Sequence, residues 1–163
     1  MILPFSTNLN GKPTYFVEKI HSGLLQHNLM GDFELKEDYN FDLEKLVTGQ
    51  PKLHSIREDK NNRWKAGTKI DFFINVRQKS MFKFAPVLPV VSIQEFSIGY
   101  NNNGKAVIFI DGKIFCIQDF SIDHQYKLKQ FAQKDGFDTT EDFLAYFNKD
   151  FKGKIIHWTD LRY

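Results

Sequence analysis

The chain has 163 residues and a net charge of +2 at neutral pH, with 42% hydrophobic and 26% charged residues. This length and balance suit one globular domain across residues 1–163 and exclude a disordered chain. The small net charge argues against tight binding of long nucleic-acid duplexes, which requires many phosphate contacts.

The first part of the chain predicts a strand and a helix. The apolar stretch "ILPFS" at residues 2–6 predicts a short strand. Residues 13–25 predict a helix, because Phe16, Ile20 and Leu24 recur at every fourth position and therefore share one face.

A polar and irregular stretch follows at residues 26–48, and it indicates an insertion or a loop. Near its end, the sequence "FDLEKLVTGQ" predicts a short helix that stops at Gly49, because glycine commonly follows the last helical residue.

Strands dominate the chain after Pro51. Apolar and polar residues alternate in several runs, and this period is typical of a strand. The runs are "KLHSIR" (52–57), "TKIDFFINVRQ" (68–78), "VVSIQEFSIGY" (90–100) and "KAVIFIDGKIFCI" (105–117). Ile93 is out of phase with the rest of the third run, which predicts a bulge near Gln94 and Glu95. The fourth run predicts a hairpin that turns at Asp111-Gly112.

The last part of the chain predicts two helices and a final strand. Residues 123–136 and 138–148 have helical patterns, and Asp138 with Glu141 forms a capping-box pattern at the start of the second. Residues 154–161 predict a strand. The strands follow one another too closely for helical crossovers, so the predicted fold is mainly β with α. We expect a small antiparallel β-barrel flanked by helices.

Three short motifs carry a resemblance to a known family. In chain order they are Lys52, Ser55 and Arg57; Trp64, Lys65 and Gly67; and Asp135, Gly136 and Phe137. In this order they resemble the motifs of the ASCH domain, a member of the PUA-like β-barrel superfamily. The resemblance covers nearly the whole chain except the predicted insertion at about 26–48.

The resemblance implies a function as well as a fold. ASCH domains are implied to bind RNA or nucleotide-like ligands in a cleft beside the barrel, with no cofactor. One bacterial branch is an amidohydrolase of N4-acetylcytidine that uses a lysine, a threonine and a glutamate. The matching positions here are Lys52, Ser55 and Asp135, so a hydroxyl and a carboxylate are kept while the acid is one methylene shorter.

Basic and aromatic residues near these motifs suggest a ligand-binding wall. Three of the four arginines follow Pro51 closely, and Arg57 carries a fork of N–H donors that suits a planar or anionic ligand. Arg63, Trp64 and Lys65 form a basic-aromatic turn. Trp64 either packs back onto the barrel or forms a stacking platform for a base between the two cations.

Three functions are compatible with this pattern. The first is a binding domain that holds RNA, a nucleotide or a modified nucleoside in a polar cleft. The second is a small amidohydrolase that removes an acyl group from N4-acylated cytidine. The third is a protein-interaction domain that uses residues 26–48. The changes to Ser55 and Asp135 favour the first, because a shift of about 1 Å in a catalytic group can cost a hundredfold in rate.

The enzyme hypothesis requires distant residues to meet. We expect the helix that ends at Gly136 to bring the Asp135 carboxylate within reach of Lys52 or Ser55. Because aspartate is shorter than glutamate, we expect a water-bridged contact. Ser55 and Arg57 share one face of their strand by strict alternation, and Lys52 reaches them only if the strand start is twisted.

The remaining signals concern the compartment and metals. Cys116 is the only cysteine, so it forms no internal disulfide, and its apolar surroundings predict a buried thiol. No cysteine and histidine spacing suits zinc, and we expect no metal. No apolar run is long enough to span a membrane, and the N-terminal residues do not resemble a signal peptide. These features predict a cytoplasmic protein without a membrane partner.

Overall fold

Eleven strands and four helices make up the part of the chain that the computed structural model describes, residues 1–34 and 39–163. The strands are β1 (Ile2–Phe5), β2 (Asn8–Leu9), β3 (Lys12–Pro13), β4 (His54–Arg57), β5 (Lys69–Ile74), β6 (Phe82–Lys83), β7 (Leu88–Pro89), β8 (Ser92–Tyr100), β9 (Ala106–Ile110), β10 (Lys113–Ile117) and β11 (Phe151–His157). The helices are α1 (Phe16–Gln26), α2 (Leu43–Thr48), α3 (Ile122–Lys134) and α4 (Thr140–Tyr146).

The strands form two main sheets and a small hairpin. The larger sheet is antiparallel and has the order β10-β9-β8-β11-β4. In the second sheet β5 pairs with β1 in parallel and with β6 and β7 antiparallel. The prediction of a mixed, mainly antiparallel fold with helices is confirmed. Among the described residues the pairings do not close into a ring, so the predicted barrel is not established.

The structure has two apolar cores, and the larger sheet contributes to both, since β11 supplies Ile156 to the first and Ile155 to the second. The first core joins β1 and β5 to α1 and includes Phe5, Phe72 and Trp158. The second core joins the larger sheet to α3 and α4 and includes Phe96 and Phe131. Aromatic rings fill both cores, as the phenylalanine content requires, because buried aromatic rings supply large apolar contact areas.

Strand β8 is regular, which corrects the predicted bulge near Gln94 and Glu95. Its pairing with β11 runs without a register shift. Ser92, Gln94 and Phe96 are buried on one face, whereas Ile93 lies on the other face and packs against the first core. The second face is only partly covered, with Glu95 exposed, but the contact of Ile93 with the first core explains an apolar residue out of phase without a bulge. The irregularity in this sheet lies in β10, between Ile114 and Cys116.

Two predicted helix starts are also corrected. Helix α1 begins at Phe16, because Pro13 pairs with Asn8 in the β2–β3 hairpin. Helix α4 is capped by Thr139, whose side chain accepts a hydrogen bond from the backbone of Asp142, rather than by Asp138.

The predicted insertion contains a short helix, as expected. Helix α2 is capped by Asp42, ends before Gly49 and packs against α1. Residues 35–38 of the insertion lie outside the described residues. Neighbouring side chains such as Tyr39 and Phe41 pack against the first core, so this part of the segment contributes to the fold.

Residues 51–53 thread between α1 and the end of α3. The Lys52 amide donates to the Lys19 carbonyl over 3.0 Å, and the Leu53 amide donates to the Lys134 carbonyl over 2.9 Å. Gly23 permits the close approach of α1, because a Cβ at this position would lie 2.8 Å from Leu53 Cδ2 and 3.0 Å from the Lys52 carbonyl oxygen. A glycine inside a helix therefore serves packing here.

We expect Gly23→Ala to destabilise the protein by about 1 kcal/mol. Alanine adds about 1 kcal/mol of helix propensity, but overpacking this contact costs about 1–3 kcal/mol. Urea unfolding measures the difference, with Gln26→Ala in the same helix as an exposed control. A stabilised Gly23→Ala variant would show that the contact between α1 and residues 51–53 is loose.

Candidate functional site: a buried lysine–carboxylate pair beside a cavity

The site is built on the C-terminal end of α3. Gly136 has a φ of +93° and ends the helix, because an L side chain rarely adopts this conformation. The Gly136 amide donates to the Gln133 carbonyl and the Phe137 amide donates to the Ala132 carbonyl. This pair of bonds is the Schellman motif. It turns the chain sharply and leaves the last carbonyls of α3 to be satisfied by other segments.

Two buried lysines satisfy the carbonyls of the two residues that follow α3. Lys52 Nζ donates to the backbone oxygen of Asp135, and Lys19 Nζ donates to the backbone oxygen of Gly136 over 2.8 Å. Lys19 also pairs with the Asp138 carboxylate. Cations are favourable at a helix C-terminus because the aligned peptide dipoles place partial negative charge there.

Lys52 and Asp135 form a buried ion pair. Lys52 Nζ lies 2.7 Å from Asp135 Oδ1, and the two side chains are only 2% and 6% exposed. The contact is direct, not the water-bridged contact that the shorter acid led us to expect. The predicted convergence of Lys52 with Asp135, which are far apart in sequence, is therefore present in the structure.

Burial shifts the proton affinities of both partners. Burial lowers the pKa of Lys52 to about 8; Asp135 opposes this shift, while Arg57 and Lys19 add to it. Burial raises the pKa of Asp135, while Lys52, Arg57 and the Ile56 amide hold it down. A lysine with this pKa can exchange a proton close to neutral pH, which an ordinary surface lysine does not do.

A cavity of about 480 Å³ opens beside this pair. Its charged lining consists of Lys52, Arg57 and Asp135; its aromatic walls are Phe5, Phe16, Phe137 and Tyr146; its uncharged polar groups come from Ser6, Thr7, Asn8, Asn75 and Gln78. The accessible lining is therefore more polar than apolar, and the volume is within the usual range of small-molecule sites.

Arg57 lies in the cavity wall with hydrogen-bonding capacity to spare. Its Nη2 donates to the Pro4 carbonyl over 2.7 Å and its Nη1 to the Ile56 carbonyl over 3.1 Å. The guanidinium carbon lies 5.3 Å from the centre of the Phe5 ring. Its Nε is buried without a hydrogen-bond partner among the described residues. A guanidinium has five N–H donors. Two of them bond the Pro4 and Ile56 carbonyls, so others remain for a ligand.

Ser55 does not join this cavity. It is buried in β4 opposite Ile156, it is not part of the cavity lining, and its Oγ has no hydrogen-bond partner among the described residues. The alternation argument placed Ser55 beside Arg57. Lys52 instead reaches the cavity because it precedes β4, which begins at His54, so strand alternation does not govern its direction.

The basic-aromatic turn also lies outside the cavity lining. Trp64 is 4% exposed and packs in the first core, so it offers no open ring face to a base. Asp59 accepts hydrogen bonds from the backbone amides of Arg63 and Trp64. The turn is therefore held by its own aspartate, and Arg63 and Lys65 are exposed beside it. Of the two alternatives for Trp64, this burial supports packing back onto the fold and leaves no stacking platform for a base.

Several residues of the site were missed in the sequence. Phe5 and Phe16 flank Lys52 Nζ, with ring centres 5.8 Å and 4.9 Å away. Lys19 was missed too, although it follows Phe16 by three positions on the predicted apolar face of α1. A lysine on an apolar helix face is the signal that could have marked it.

Comparison with protein-family models, with curated proteins and with solved structures gave no match for this chain. The resemblance to ASCH domains therefore rests on the motif residues alone. Within the described ranges, no group of three or more histidine, cysteine, aspartate or glutamate residues is placed to hold a metal ion. The helices in the described part of the chain are too short or too polar to cross a membrane.

We expect Lys52→Met to destabilise the protein by about 3–5 kcal/mol at neutral pH, because it leaves the Asp135 carboxylate buried without its partner. The double variant Lys52→Met/Asp135→Leu is expected to lose less than the single variant. A double-mutant cycle by urea unfolding measures both values. Lys12→Met, which breaks the exposed pair with Asp142, is the matched control and costs much less.

The cost of Lys52→Met also has a predicted pH dependence. Without Lys52, the pKa of Asp135 in the folded state lies further above its unfolded value. A raised carboxyl pKa costs no stability when both states are protonated and costs more as the pH rises through the ordinary carboxyl range. The deficit relative to wild type is therefore smaller near about pH 4 than at neutral pH. A pH-independent deficit would contradict this account of the pair.

Proposed function

We propose that this protein is a binding domain that holds a nucleotide, a modified nucleoside or a short single-stranded RNA end in the cavity beside Lys52 and Asp135. The observation that carries the proposal is the shared lining of Lys52, Arg57 and Asp135 in a cavity of about 480 Å³. Two cations and one carboxylate give this lining a small positive excess at neutral pH.

The chemistry of the walls favours a planar polar ligand. Tyr146 is exposed at the cavity and offers an aromatic surface, whereas Phe5 and Phe16 are almost fully buried in its wall. Aromatic side chains stack on nucleobases. Asn8 and Asn75 contribute amide groups, which can donate and accept hydrogen bonds at a base edge. Spare donors on Arg57 suit a carbonyl, carboxylate or phosphate oxygen.

The scale of the site favours a small ligand over a long nucleic acid. Tight binding of long duplexes depends on many phosphate contacts, whereas the net charge of the chain is only +2.

We further propose that the two sheets belong to an open PUA-like barrel of the ASCH type, that residues 26–48 are its insertion, and that the domain acts in the cytoplasm. A role as a protein-interaction domain would leave the charged cavity without a use.

We expect Arg57→Ala to abolish ligand binding, because it removes the spare donors from the cavity wall. A thermal-shift screen against nucleosides, modified nucleosides and short RNAs finds the ligand. At about 100 times the dissociation constant a ligand stabilises the folded state by about 2.7 kcal/mol, or roughly 5–10 °C in a protein of this size.

Arg63→Ala is the matched control for that screen. Arg63 lies outside the cavity lining and its side chain is 64% exposed, so this variant is expected to keep the ligand-induced shift. Equal loss of the shift in both variants would place the ligand elsewhere. The absence of any shift across the screen would count against the proposed function.

A second candidate function is the hydrolysis of an N4-acylated cytidine. The observation that favours it is the lowered pKa of Lys52, about 8, beside a carboxylate in direct contact. Lys52 in its neutral form would take a proton from a water molecule that attacks the acyl carbon, and would pass that proton to the N4 nitrogen as the C–N bond breaks, so that acetate and the free amine are released. Asp135 would stabilise the Lys52 ammonium between these two transfers. Ser55 would have no part in such a reaction, since it does not line the cavity.

An assay of N4-acetylcytidine hydrolysis tests this candidate. We expect wild type to release acetate and Lys52→Ala to lose at least about a hundredfold in rate, the usual effect of removing a general base. Ser55→Ala is expected to retain the wild-type rate. Background release from wild type and Lys52→Ala alike would leave only a binding site.

A further inference from the structure

His54 lies against the carboxylate of the buried pair without lining the cavity. Its imidazole is fully buried, and Nε2 is 4.0 Å from Asp135 Oδ1, the same oxygen that contacts Lys52. At 4.0 Å the contact is electrostatic rather than a hydrogen bond. Nε2 has no hydrogen-bond partner among the described residues. If Nε2 carries the ring proton, Asp135 faces an N–H group; if Nδ1 carries it, Asp135 faces a nitrogen lone pair.

Tyr163 and Asp135 lie at opposite nitrogens of this imidazole. The Tyr163 hydroxyl lies 3.2 Å from His54 Nδ1, and burial raises the pKa of Tyr163, so the hydroxyl keeps its proton. A phenol can donate to Nδ1 or accept from it, but the Asp135 carboxylate beside Nε2 favours the tautomer in which Nε2 carries the proton and the phenol donates to Nδ1. The N–H of His54 then lies on the nitrogen that is nearest to Asp135.

Tyr163 is itself held in place from two sides. Gln94 accepts from the Tyr163 amide and donates to the Tyr163 carbonyl, both over 2.9 Å. The ring of Tyr163 contacts the ring of Phe131 at a centroid distance of 4.9 Å. This arrangement holds the hydroxyl at His54 Nδ1, where it can donate to the ring nitrogen.

We propose that His54 is a positioning residue that holds the Asp135 carboxylate toward Lys52, and that the Tyr163 hydroxyl, bonded at Nδ1, holds the imidazole beside that carboxylate. The inference rests on the proposed function for its purpose, because a ligand that engages Lys52 needs Asp135 to stay ionised and in place. Its test, however, requires no ligand.

His54 does this work as a neutral group. Burial lowers the pKa of His54 well below its ordinary value, and the nearby cationic or protonatable groups His157, Lys52 and Lys134 add to the shift. The imidazole therefore stays uncharged at neutral pH and acts through its N–H dipole. Asp135 faces this dipole together with the Ile56 amide and the two cations of the cavity lining.

The titration of Lys52 reports on this arrangement. Lysines labelled with ¹³C at Cε are followed by NMR from about pH 6 to about pH 10, and the Lys52 signal is assigned by its loss in Lys52→Arg. Wild type is expected to show a midpoint near 8. Tyr163→Phe keeps the ring packing but removes the hydrogen bond at Nδ1, so the imidazole is no longer held beside Asp135 and the carboxylate becomes a weaker counter-charge for Lys52. We expect the Lys52 midpoint to fall by roughly 0.5–1 pH unit.

Substitutions of His54 separate positioning from packing. His54→Phe fills a similar space without a donor and is expected to lower the Lys52 midpoint as Tyr163→Phe does. His54→Gln carries an amide N–H near the place of Nε2 and is expected to restore the wild-type midpoint. Tyr100→Phe removes a hydroxyl that bonds the Phe147 carbonyl instead, and it is expected to leave Lys52 unchanged.

The outcome is decisive in either direction. A wild-type Lys52 midpoint in folded Tyr163→Phe would overturn the proposal, even if His54→Phe does not fold. A lowered midpoint with rescue by His54→Gln supports it. A failed ligand screen would reject the proposed function and leave this result intact, because the titration is made on the protein alone.

Discussion

The end of helix α3 imposes the constraint on which the rest of the structure depends. A helix that ends inside a protein must have its last carbonyls satisfied. Here the Leu53 amide bonds the Lys134 carbonyl, and two side-chain ammonium groups bond the carbonyls of the two residues that follow the helix. A buried ion pair is weak evidence for stability on its own, because desolvation opposes the attraction. In this molecule the partial negative charge of the helix terminus also favours the Lys52 ammonium. Gly23 and Gly136 allow α1, residues 51–53 and the end of α3 to approach closely enough for this contact.

The sequence predicted the elements whose signals are local. The hairpin at Asp111-Gly112 and the short helix before Gly49 depend on neighbouring residues, and both are present. The parallel pairing of β1 with β5 joins segments about seventy positions apart, and no local pattern encodes it. Strand β8 misled the phase argument because one apolar residue, Ile93, lies on its less buried face, where it packs against the first core although its neighbour on that face, Glu95, is exposed.

The candidate site shows the same difference between features that short motifs predict and features that depend on long-range packing. Lys52, Arg57 and Asp135 were found through motif positions, and the structure brings all three to one cavity. Trp64 and Ser55 were taken from the same motifs, but their exposure depends on what packs over them, which a short motif does not contain. Tyr163 and His54 could not be grouped from the sequence, since only the pairing of β4 with β11 and the path of the final residues bring them together.

The cavity is complete only after strand β1 has paired with β5. Pro4 and Phe5 form part of the wall and bond or contact Arg57, yet β1 has no sheet partner until β5 is available. Closing a loop of this length carries an entropic cost that is paid before the contact returns any energy. During synthesis the first strand must therefore wait for the middle of the chain. A molecule in which β1 has not docked lacks one wall of the cavity, so occupancy of the cavity would favour molecules that have completed this long-range pairing.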